Sequence, residues 1–147
     1  MQSIEKVLYT ARVRTCGGRD GQARSDDGRL HVRLTPPGAP GEGSNPEQLL
    51  AAGWSACFIG ALRHAANARK LEFPAGTAVD AEVELMHGEQ GFFLRAHLRI
   101  ELPELAPDLA QQLVDAAYQS CPYSKALRGN VAVTLSLGGA GAQAPAT

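Results

Sequence analysis

The sequence lacks most of the features that announce a particular chemistry. Its 147 residues hold three cysteines, at positions 16, 57 and 121, too few and too widely spaced for the disulfide framework of a small secreted protein. No CxxC pair is present, and His31, His64, His87 and His97 do not fall into HExxH spacing, so no paired zinc ligands can be read and no metal is expected. A GxSxG elbow for serine chemistry is missing. The glycines of GAPGEGSNPEQ are not followed by the Lys-Ser or Lys-Thr of a phosphate loop, which argues against a nucleotide site. Charge of one sign is also scarce. The formal net charge is -1 with Lys and Arg scattered, so the positive field behind phosphate recognition is absent and nucleic acid is not an expected partner. The opening MQSIEKVLYT has neither a basic start nor a long apolar stretch, so it does not read as a secretory signal, and a cytoplasmic protein is expected.

What is present is a regular alternation of strand and helix patterns. A chain of this length fits one domain that can bury a core without metals or disulfides; that domain is expected over residues 1–137. The tail 138–147, GGAGAQAPAT, has no core-forming residues and is expected to be disordered. Residues 7–15 alternate roughly between apolar and polar, and Leu30, Val32 and Leu34 alternate with Arg29, His31 and Arg33, which predicts two half-buried strands with GGRDG as a turn signal between them. After the loop TPPGAPGEGS, Asn45-Pro46-Glu47 supplies an N-cap, a proline at the first helical position and an acid near the positive helix end.

The helix so begun has no charged residue over positions 48–62, and small or apolar side chains point in every direction. This predicts a central helix buried on all sides, with Gly53 and Gly60 suited to close packing. A membrane span is the rival reading; it fails on length, since the run is shorter than the ~20 residues a span needs and ends in Arg63-His64. Val79, Ala81, Val83 and Leu85 lead through HGEQG into Phe92, Leu94, Ala96, Leu98 and Ile100, a strand hairpin. Pro107 opens an amphipathic helix carrying Leu109, Leu113, Val114, Ala117 and Tyr118. Cys121-Pro122 interrupts it, a short helical turn follows over 122–127, and a last strand covers 131–137. The order strand-strand-helix-strand-strand-helix-strand predicts an α+β fold, antiparallel sheets around a buried central helix.

Taken one at a time, the thiols are ordinary. Cys57, in the uncharged stretch, has the surroundings of a small buried hydrophobe. Cys121 precedes Pro122 at a break between helices, where the free N–H groups of a new turn can favour a thiolate, although a buried structural cysteine is the ordinary reading there too. Cys16, beside Gly17-Gly18, has no evident role.

Three segments together change this. TCGGRDGQARSDDGRLHVRL, NPEQLLAAGWSACF and CPYSKALRGNVAVTL occur in that order, and through them the chain resembles, over almost its whole length, the organic hydroperoxide resistance (Ohr) proteins of the OsmC-like superfamily. The departures are Trp54, where a tyrosine is common, and Lys125-Ala126-Leu127, where the family often has a shorter polar pattern. The resemblance implies a cysteine-based peroxidase for organic hydroperoxides, with Cys57 as the attacking thiol, Cys121 as the resolving thiol, and Arg19 and Glu47 completing the site. It implies no bound cofactor, recycling by an external dithiol on a lipoylated protein or dihydrolipoamide, and an intertwined homodimer. Cys16 matches no functional position of the family.

Chemical reasoning agrees with these roles. The thiolate attacks the O–O bond, yet an apolar pocket raises a thiol's pKa, so a cation must be supplied. No basic residue precedes Arg63 on the Cys57 helix, and Arg19 from the first hairpin is the reasonable source, with Glu47 accepting from its fork. Glu47 and Cys57 are ten positions apart, about 15 Å along a straight helix, so a site holding both needs a broken helix or a second chain, and the second chain is the favoured expectation. The apolar helix, hard to cover with one small sheet and one helix, points to the same dimer. Two rival readings are an OsmC-like thiol protein serving in sensing or small-molecule binding, and a structural domain with inert cysteines.

Overall fold

The computed structural model describes residues 4–138 and 143–145, and its contacts divide the chain into two compact units, Met1–Pro46 and Glu47–Thr147.

In the first unit β1 (Val13–Cys16), β2 (Gln22–Ser25) and β3 (His31–Arg33) form an antiparallel sheet in sequence order. β2 was not read from the sequence: QARS is short and mostly polar, and only Ala23 of it is buried. The first strand is also shorter than the 7–15 alternation suggested. Its last partner is Ser25, opposite Val13, after which the chain turns toward β3, so residues 4–12 lie outside any strand. The turn between β1 and β2 is fixed locally. Gly17 takes a positive φ of 77°, and a β-carbon on Gly21 would fall 1.7 Å from the Cys16 carbonyl oxygen; only glycine allows this return, which sets Arg19 in a single 3-10 turn, Gly18–Asp20.

The second unit opens with α1 (Pro46–Ala68), followed by β4 (Ala78–Gly88), β5 (Gly91–Glu101), α2 (Pro107–Ser120), α3 (Pro122–Leu127), β6 (Ala132–Leu137) and a short β7 (Gln143–Pro145). β4 and β5 pair antiparallel through a turn at Glu89-Gln90, with Gly91 at φ 96°. β6 returns beside β5 in parallel, so this sheet is mixed rather than wholly antiparallel. The reason is the crossover: α2 and α3 span the sheet and return the chain in its original direction. β7 closes the far edge against β6; otherwise the expectation for the tail 138–147 falls largely outside the described residues.

The sheet's inward residues, Ala96, Leu98, Ile100 and Val133, pack with Trp54, Phe58 and Leu62 of α1 and Leu113, Val114 and Ala117 of α2 in one buried cluster. Two expectations for α1 need correction. It is 23 residues long and, by length and composition, could cross a membrane, so the length objection fails; the burial of Trp54, Phe58, Leu62, Ala65 and Ala66 on the unit's own core gives it the face of a core helix. Nor is it buried all round within one chain. Ala52, Ala56 and Gly60 are exposed, and a β-carbon on Gly60 would meet nothing within 4 Å.

Candidate active site

Cys121 owes its position to its neighbour. The residue before a proline is disfavoured in helical conformation, and Cys121 is extended (φ -63°, ψ 122°), ending α2 while its carbonyl accepts the Lys125 N–H of α3. The break turns a fully buried sulfur toward α1. There it meets half-buried Cys57, to which the Cys121 thiol donates across 3.3 Å. Both cysteines are free thiols. A covalent S–S bond is about 2.05 Å long, so the pair can become a disulfide with only a small movement of α3.

Three further contacts join α1 to α3 around the sulfurs. The backbone N–H of Tyr123, one of the orphan donors at the start of α3, lies near enough to Cys57 to favour its thiolate. Trp54 Nε1 donates to Ser124 Oγ at 3.0 Å, both side chains being buried. Gly53 leaves room for the Tyr123 ring, since a β-carbon there would lie 2.9 Å from Tyr123 Oη. Of these residues the sequence singled out Gly53 for close packing and Trp54 as a departure. Tyr123 and Ser124 carried no signal beyond lying in the CPYS segment.

Electrostatically the attacking thiol needs help. Burial pushes the Cys57 pKa up, the Tyr123 amide pulls against this, and Cys121 raises it further, first through the hydrogen bond the two thiols share and then through like-charge repulsion. Glu47 sits in the first turn of α1, and the helix runs unbroken from there past Cys57. The structure therefore does not bring Glu47 to Cys57 of the same chain. Arg19 is exposed on its turn in the other unit. Among the described residues no group of three or more His, Cys, Asp or Glu could hold a metal ion. Two clefts, of about 550 Å³ beside Cys16 and about 560 Å³ beside His97, do not include Cys57 or Cys121.

A half-buried thiol facing a buried one, on an α+β frame, is the arrangement of a dithiol site. Residues 39–136 match the family model for OsmC-like proteins. The organic hydroperoxide resistance protein of Xanthomonas axonopodis pv. citri (strain 306) is 48% identical over 141 residues, 93% of this chain and 99% of the relative. Among solved structures, OhrB of Bacillus subtilis is 44% identical with a TM-score of 0.84, covering 89% of this chain and 99% of that one. An organic hydroperoxide resistance protein of Legionella pneumophila is 42% identical, also with a TM-score of 0.84, over 90% and 98%. The chain belongs to the OsmC-like family and, within it, to the organic hydroperoxide resistance proteins.

Proposed function

We propose that the protein protects against organic hydroperoxides as a thiol peroxidase, through one domain spanning residues 1–137 in the cytoplasm. The observation that carries this reading is the Cys57–Cys121 pair at 3.3 Å in a chain of this family. Cys57 thiolate attacks the distal oxygen of ROOH, the O–O bond breaks, and the alkoxide leaves with a proton as ROH. Cys57 is then a sulfenic acid. Cys121 sulfur attacks it opposite the S–O bond, water leaves, and the disulfide forms. An external dithiol, of the lipoyl type, reduces that disulfide and is itself oxidised. The apolar surroundings of Cys57, Trp54 and Phe58 among them, favour alkyl or fatty-acid hydroperoxides over hydrogen peroxide.

The charge that ionises Cys57 is assigned to Arg19, oriented by Glu47, in a homodimer. The unbroken α1 keeps Glu47 about 15 Å along the axis from Cys57 of its own chain, which supports a site in which the Glu47 serving Cys57 comes from the other chain. Uncovered apolar surface supports the dimer: Ile4, Val7, Leu8 and Tyr9 are 78–95% exposed, Phe92 is 74% exposed on the inward-facing side of β5, and one side of α1 is bare. A sedimentation measurement showing a stable monomer at micromolar concentration would refute it.

The activity is tested by titrating thiols against cumene hydroperoxide. Wild type should lose two thiols per chain rapidly and turn over with a dithiol. Cys57→Ser should be inactive, and Cys121→Ser should consume about one equivalent and stall as sulfenic or over-oxidised protein. Mass spectrometry should find a Cys57–Cys121 link; a dominant link to Cys16, or slow stoichiometric loss as in a sensor, would overturn the assignment.

A further inference from the structure

Trp54 stands three residues before Cys57 on α1, and Ser124 stands three residues after Cys121 on α3. Residues three apart are surface neighbours on a helix. The Trp54–Ser124 hydrogen bond therefore lies one turn from Cys57 on α1 and, on α3, in the first turn after Cys121, the residue that caps that helix. It is also a bond without alternatives. The indole has a single donor, it is fully buried, and Ser124, 1% exposed, is the partner it has. α3 is only six residues long, so its seat on α1 depends on few contacts.

We propose that Trp54 and Ser124 are positioning residues for the second step of the reaction. Their hydrogen bond holds α3 as a pivot, so that Cys121 reaches oxidised Cys57 before a second hydroperoxide does. This rests on the peroxidase reading. The sulfenic acid has two fates: condensation with Cys121, which releases water and forms the disulfide, or attack on another ROOH, which releases ROH and leaves a sulfinic acid. The first is unimolecular and depends on how closely the sulfurs are held. The second depends only on peroxide concentration. Closing 3.3 Å to a covalent bond needs a small, directed movement of Cys121; with the pivot lost, α3 tilts or frays and the sulfurs part. A misplacement of about 1 Å can slow such a step by about 10²-fold.

The test is the ratio of sulfinic acid to disulfide, read by mass spectrometry after reduced protein meets graded cumene hydroperoxide. Because it compares two fates of one intermediate, this ratio is insensitive to how fast Cys57 first reacts, which a general loss of activity is not. Ser124→Ala and Trp54→Phe should each raise the sulfinic share by between about tenfold and 10²-fold. The double variant should be no worse than either single one, since both remove the same bond. Ser124→Thr, which keeps the hydroxyl, should restore the wild-type ratio. Trp54 is the sole tryptophan, so its emission also reports the site. Loss of its bond should shift the emission in Ser124→Ala while the circular dichroism of the folded protein is retained. If wild type forms the disulfide and Ser124→Ala divides as wild type does, the positioning role is wrong and the peroxidase reading survives. If wild type forms no Cys57–Cys121 disulfide, both fall together.

Discussion

The two units bury their residues very differently. In Met1–Pro46 the buried residues among those described are Ala23, Leu34 and Thr35, every described residue before Gly21 is exposed, and the apolar arm of Ile4, Val7, Leu8 and Tyr9 has no strand to join. In Glu47–Thr147 a continuous cluster runs from Trp54 through Leu98 and Ile100 to Leu113 and Cys121. A unit of the first kind is too small and too open to supply much stability alone. The contrast extends to chemistry: the second unit holds the Cys57–Cys121 pair and contributes burial, which suppresses ionisation of Cys57, while the first carries Arg19, to which the proposed mechanism assigns the compensating charge.

The largest effect expected from breaking this division of labour is at Arg19. Arg19→Ala should slow peroxide reduction by about 10²–10³-fold, the scale for losing one electrostatic contact in an active site, and leave the core intact. The sign follows from Cys57: burial already raises its pKa, so without the cation its thiolate appears only at still higher pH. In a Cys121→Ser background, the Cys57 alkylation rate against pH should move to the alkaline side, and Arg19→Lys should recover part of the shift because a point charge lacks the fork. An unmoved profile would mean that another group ionises Cys57.

On stability rather than activity, the largest effect is expected in the core of the second unit. Phe58→Ala should cost about 3–5 kcal/mol of stability in urea unfolding, because its fully buried ring sits on the same face of α1 as Trp54 and Leu62. A loss below 1 kcal/mol would mean that the cluster is not the stabilising centre. The smallest effect is expected at Cys16, exposed on β1: Cys16→Ser should change stability by less than about 0.5 kcal/mol and leave turnover unaltered. A large drop in turnover would give the first unit a thiol role that its geometry does not suggest.

How much could be read beforehand varied with the range of the forces involved. The proline at the start of α1, the glycines around Arg19, the HGEQG turn and the Cys121-Pro122 break act within a few residues, so each was legible from sequence. β2 was missed because QARS has almost no apolar alternation and forms through its two neighbours. The end of α1 at Ala68 is not marked in the sequence, because the charge that ends the uncharged run, at Arg63, does not end a helix. Of the candidate site, the sequence by itself singled out the candidate residues, through their order in three segments. Only the tertiary structure decided that Cys57 and Cys121, 64 positions apart, lie 3.3 Å from each other, that Trp54 finds its partner in Ser124, and that Glu47 stays away from Cys57 of its own helix. Those distances are set by how α3 seats on α1 and by the rigidity of an unbroken helix, and long-range packing of that kind leaves no periodicity to read in the sequence.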